Sequence, residues 1–196
     1  QVSDVSDSGT DPTTENPDEP GDTGGFDDPT PIPPMPSISI AKAISDVNPA
    51  ASGIDGNFDV EYTFVIENTG SANLANVSLT DDLDAQLGGA FVEVTSGPMI
   101  DLMSTAIIPG GINSSYTGEG LNTEMLDLTG SLQPGGTIIV TLVVELNPDA
   151  SDAILSDNNA LENQATTSAN PVDAVGNPLL DPMGNPVGPV SDDSDN

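Results

Sequence analysis

FDVEYTFVIENTGSANLANVSLTDDL, residues 58–83, decides the fold. In its first half Val60, Tyr62, Phe64 and Ile66 fall on one face, and Asp59, Glu61, Thr63 and Glu67 on the other. A period of two marks a strand with one buried and one wet face. Asn68-Thr69-Gly70-Ser71 then breaks the pattern with turn residues, Gly for its tolerance of positive φ and Asn for a side chain that mimics a backbone turn. A second apolar series, Leu74, Val77 and Leu79, ends in Asp81-Asp82-Leu83-Asp84. Two half-buried strands joined by a short polar turn need a second sheet to cover their apolar face. The stretch predicts an all-β, antiparallel β-sandwich.

Further strands follow from the rest of the chain. Ile38, Ile40 and Ile44 predict a first strand, with Lys42 in register on its apolar face. Ala90–Thr95 predicts another, with Phe91, Glu93 and Thr95 on one side and Val92 on the other. Thr137–Leu146 is apolar on both faces and belongs at the centre of a sheet. Asn163–Ser168 reads as a late strand. Residues 97–135 are Gly-rich and irregular, and 149–160 reads as a loop or one helical turn. Residues 171–196, with Gly-Asn-Pro starting at 176 and again at 184, read as a closing hairpin with proline-tolerant edges. No sustained helical period is present.

Residues 1–36 are a different material, rich in Asp, Glu, Gly, Pro, Ser and Thr. Such a composition buries too little apolar surface to fold alone. It reads as an acidic linker or docking segment ending in a polyproline spacer, with the sandwich occupying 37–196. The start at Gln1 suggests a processed product or a piece of a longer chain. Val2-Ser3-Asp4-Val5-Ser6-Asp7-Ser8 echoes Val190-Ser191-Asp192-Asp193-Ser194-Asp195-Asn196, which suggests one period of a tandem array.

The central stretch resembles the bacterial Ig-like conserved-repeat domain, a family of unknown molecular function found in tandem in long surface proteins. SISIAKAI at 37–44, LQPGGTIIVTLVVEL at 132–146 and LENQATTSA at 161–169 match in the expected order. The resemblance spans residues 37–170. It implies an Ig-like sandwich on the cell exterior and carries no catalytic activity with it.

Composition narrows the chemistry. One Lys or Arg against 32 acidic residues gives a net charge of −31. That surface repels nucleic acid, which is bound by displacing phosphate counterions with cations, and it repels anionic lipid. Without Cys or His, disulfides, thiolate or imidazole metal sites and His-based triads lose their members. A resident metal would be hard and oxygen-liganded, calcium first. Asp81, Asp82 and Asp84, Asp55 and Asp59 with Glu61, and Asp192, Asp193 and Asp195 are the candidate calcium ligands, although no EF-hand or RTX spacing is present.

Lys42, the sole cation, carries the sharper question. A buried ammonium needs a carboxylate, for which Glu61 or Glu67 on the neighbouring strand is the expected partner. The alternative is a covalent crosslink to Asn163, as in surface-fibre sandwiches that join a first-strand Lys to a late-strand Asn, with a nearby carboxylate shuttling protons. These features favour a non-enzymatic structural repeat of an extracellular adhesin or fibre whose partners are neighbouring copies. The alternative function is an extracellular ligand- or glycan-binding module using the 97–135 segment.

Overall fold

The computed structural model describes residues 33–106, 110–150, 153–155 and 160–195. The acidic segment up to residue 32, including the stretch that echoes the C-terminus, lies outside the described residues, and the docking and tandem-repeat readings lie there with it.

Among the described residues eight strands, β1 Ser39–Pro49, β2 Phe58–Glu67, β3 Asn73–Thr80, β4 Phe91–Ile100, β5 Ser131–Leu132, β6 Thr137–Leu146, β7 Thr166–Val172 and β8 Val190–Asp193, accompany one short helix, α1 Leu83–Leu87. They form two four-stranded antiparallel sheets, ordered β1-β2-β6-β4 and β5-β3-β7-β8. With β1, β2, β6 and β4 taken as A, B, E and D, and β3, β7 and β8 as C, F and G, the order is that of an immunoglobulin constant-type sandwich. β5 is a short extra edge on β3.

The alternation of β2 is realised: Val60, Tyr62, Phe64 and Ile66 are buried and face Leu74, Val77, Leu79 and Leu132 in a single apolar core. β6 pairs with β2 on one side and β4 on the other, so it is central, as its double-faced apolarity predicts. Its one buried acid, Glu145, accepts hydrogen bonds from Asn57 Nδ2 and from Ser52 Oγ (2.8 Å).

Four expectations change. In β3 the register shifts between Ala75 and Ser78, with Asn76 at φ 53°. This bulge accounts for the odd spacing of the apolar series, carrying the inward parity from Leu74 to Val77 and Leu79. In β4 a register shift between Phe91 and Glu93 breaks the expected alternation, and Val92 is exposed while Val94 packs on the core. Leu83 and Asp84, read as the close of the second strand, belong instead to α1, with the Asp82 carboxylate accepting from Ala85 N–H at 3.1 Å as its N-cap.

The fourth change is the closing segment, which folds as two successive tight turns rather than one hairpin. Val172 bridges Pro178, and Leu180 bridges Pro186. Asp173 and Asp181 organise these turns alike: their Oδ1 atoms accept from Val175 and Asn177, and from Met183 and Asn185. Gly176 and Gly184 supply the positive φ of 90° and 84°. The chain then returns as β8 against β7.

At the turn after β2, Asn68 behaves as expected, its Oδ1 accepting from Gly70 N–H at 3.0 Å. Its Nδ2 also donates to the carbonyls of Ala72 and Leu132. Gly70 serves a different purpose from the one its type suggests. Its φ is not positive; instead a Cβ there would lie 2.4 Å from both Met35 O and Ser37 N, so glycine permits the entering chain to cross the turn.

Candidate functional site: a lysine, an aspartate and an asparagine in the core

The polar centre of the molecule lies between the sheets. β1 is held along β2 in a register that sets Lys42 opposite Phe64, so Lys42 points inward beneath the aromatic side chains of β2. Its Nζ sits 4.7 Å from the Tyr62 ring centroid and 5.3 Å from that of Phe64, positions that favour a cation over the ring faces. From the opposite sheet the chain leaving β3 delivers Asp81, whose inward aim continues the parity of Val77 and Leu79 set by the bulge. Lys42 Nζ donates to Asp81 Oδ2 at 2.8 Å, with the two side chains 4% and 0% exposed.

Asn163, three residues before β7, completes the group. Its Nδ2 donates to the same Asp81 Oδ2 at 3.2 Å, while its Oδ1 is buried with no hydrogen-bond partner among the described residues. Asp81 Oδ1 accepts from Gln86 Nε2 at 3.3 Å, and the Asp81 carbonyl accepts from Tyr116 O–H at 3.3 Å. The centre is therefore fixed from several directions.

Burial dominates its electrostatics. Desolvation lowers the pKa of the Lys42 ammonium, with the charge of Asp81 acting in the opposite sense. Desolvation raises the Asp81 carboxyl, against the pull of Lys42 and of the Asn163 amide. Both shifts move the pair toward a neutral amine beside a neutral acid. The Tyr62 hydroxyl is pushed up to about 12 by burial and then by the Asp81 charge, with Asn163 opposing. Tyr116 is raised for the same first reason.

Asp81 thus takes the place expected of Glu61 or Glu67. Glu61 lies on the outer face of β2, accepting from Ser45 Oγ at 2.7 Å, and Glu67 is exposed at the strand end. The candidate calcium ligands are dispersed. Asp55 is exposed in a loop, Asp59 accepts from Ala51 N–H at 2.9 Å, Asp82 caps α1, and Asp84 lies in its first turn. Asp192 accepts from Ile40 N–H at 2.9 Å, Asp193 from Thr166 Oγ1 at 2.6 Å, and Asp195 borders the cleft beside Lys42 and Asn163. Among the described residues no three of these acids gather into a group able to hold a metal ion.

No protein-family model matches the chain, and no curated protein matches it. One similar solved structure is an uncharacterized beta-sandwich protein from Clostridium difficile 630. It shares 10% identity over 81% of this chain and 80% of that one, with a TM-score of 0.22.

The sequence pointed to Lys42 and Asn163 and missed Asp81 as their meeting point. The signal was present in the series Leu74, Val77, Leu79: continued by two, it reaches Asp81. Among the described residues no helix is long and apolar enough to cross a membrane.

Proposed function

We propose that the chain is a structural module of an extracellular adhesin or fibre, of the conserved-repeat kind its sequence resembles, in which the sandwich bears load and residues 1–36 join it to a neighbouring copy. The observation that carries this reading is the tie across the sandwich. β1, on which the chain enters, is held to the opposite sheet through Ile40 N–H to Asp192 and through Lys42 to Asp81. Pulling β1 away must break these buried or half-buried polar contacts as well as its ladder with β2. The acidic surface suits an exterior, saline setting, where the screening length is about 8 Å and carboxylates on adjacent copies repel only at close range.

Joints between copies are held either by the acidic segment lying along a neighbour's sheet edge or by calcium shared between carboxylates of adjacent copies. Negative-stain imaging with calcium and with a chelator, followed by thermal melts, separates the two. Filaments that loosen on chelation support calcium; filaments that persist support strand contact. Monomers in both conditions overturn the assembly reading.

A second reading, an extracellular ligand- or glycan-binding module, draws on Leu102, Met103 and Leu121, which stand almost wholly in solvent. Binding on a glycan array that is lost in Leu102→Ser and Leu121→Ser supports it.

A further inference from the structure

The Lys42–Asp81–Asn163 group has three properties that an ordinary buried ion pair does not need. A nucleophile and an electrophile are present together, since Lys42 Nζ and Asn163 Nδ2 both bond to the single oxygen Asp81 Oδ2. The amine and acid are shielded, with side chains 4% and 0% exposed and the Tyr62 and Phe64 rings beside Nζ. The Asn163 carbonyl oxygen is buried with no hydrogen-bond partner among the described residues, which leaves it able to accept a proton or hydrogen bond when charge develops there.

We propose that Lys42 and Asn163 become joined by an intramolecular isopeptide bond, with Asp81 carrying the protons. The steps balance. Asp81 Oδ2 takes one proton from the Lys42 ammonium, leaving a neutral amine. The amine lone pair attacks Asn163 Cγ, forming the new N–C bond, and the carbonyl oxygen takes up negative charge stabilised by the protonated Asp81. A second proton leaves the attacking nitrogen and reaches Nδ2 by way of Asp81. The Cγ–Nδ2 bond then breaks, releasing ammonia and restoring the carbonyl. No oxidant, metal or cofactor enters the balance.

Burial supports each step, because it moves the Lys42 and Asp81 protonation equilibria toward the neutral pair that the attack requires. The open cleft lined by Lys42, Ala43, Tyr62, Leu161 and Asn163 gives the ammonia a way out. The bond would fasten β1 covalently to the segment leading into β7, joining one sheet to the other. It does not depend on the extracellular reading: a monomeric ligand-binding sandwich could carry it equally well.

The composition supplies the test. Lys42 is the only Lys or Arg in the chain, so trypsin has one place to cut, after Lys42, and an acylated lysine is not a substrate. The purified, folded protein is denatured, returned to mild conditions and digested, and the products are separated by size under denaturing conditions. The expected result is an uncut chain for the wild type, and fragments 1–42 and 43–196 for Asp81→Asn and Asn163→Ala. A pepsin digest of the wild type should also contain a branched peptide linking Lys42 to Asn163, lighter than its two parts by one ammonia. Intact mass alone does not decide, because it does not say which residues lost the ammonia. Complete cleavage of the wild type at Lys42 overturns the proposal, as does an uncut Asn163→Ala chain. The wild-type digest is decisive even where a variant fails to fold.

Discussion

Lys42 and Asp81 stand 2.8 Å apart between the two sheets, with almost no water-accessible surface on either side chain. Removing one member of such a pair leaves the other buried and uncompensated, which costs about 3–5 kcal/mol. Lys42→Met is expected to lower stability by at least that amount, and by more in so far as it also removes the covalent tie to Asn163. The double variant Lys42→Met/Asp81→Leu should melt higher than the single one, because no lone carboxyl remains. Denaturant titration of the two proteins checks the order, which holds with or without a covalent bond, since neither variant can form one.

Gly70 is constrained by the chain that crosses it. Gly70→Ala drives a Cβ into the backbone at Met35 and Ser37, neither of which is the end of a flexible side chain. A loss of about 1–3 kcal/mol is expected, typical of forced overpacking. Gly97 is the control: it has open space around it and no positive φ, so Gly97→Ala should be neutral or slightly stabilising. Urea midpoints of both variants decide the contrast.

Glu124 provides a pH signature. Its Oε1 accepts from Leu79 N–H at 2.8 Å and Leu126 N–H at 3.1 Å, yet burial raises its pKa above 4.5 despite these bonds. A folded pKa above the unfolded one contributes stability that is complete below 4.5 and is lost as pH rises through the folded value. Glu124→Gln keeps the acceptor and removes the charge. Its urea midpoint should therefore gain on the wild type over the pH range above 4.5. Equal midpoints across that range would show that solvent meets the charge fully.

Asp173 and Asp181 titrate in the other direction. Hydrogen bonds from the Asn177 and Asn185 backbones hold their carboxyls below 3.8. The contribution of each is present above 3.8 and lost as pH falls through the folded value. The amide resonances of Asn177 and Asn185 should shift together in an acid titration, with midpoints below that of a free aspartate. Asp173→Asn should abolish the shift at Asn177 and leave Asn185 unchanged.

The sandwich was legible because its signal is local: alternation in β2 and apolarity on both faces of β6 each imply a sheet environment without reference to the rest of the chain. The polar centre was half legible. Lys42 and Asn163 could be singled out as residue types on inward-facing or late-strand segments, but their partner depended on a bulge at Asn76, announced only by the three-residue step from Leu74 to Val77. The same limit applies to Gly70, whose role is set by Met35 and Ser37, distant in sequence. Asp82 was read with its acidic neighbours as a ligand, although Ser, Thr, Asp and Asn before a short apolar run equally mark a helix start.

The twin turns at Asp173–Pro178 and Asp181–Pro186 repeat after eight residues, each built from Asp, two variable positions, Gly, Asn and Pro. Such a unit is a natural substrate for replication slippage, which adds or removes whole copies in the coding sequence. Each copy reverses the chain. One extra copy would send the polypeptide away from the position where β8 pairs with β7, while two would restore its heading. Length variation in this segment should therefore be inherited in pairs of units, with odd insertions eliminated because the closing strand would arrive pointing the wrong way.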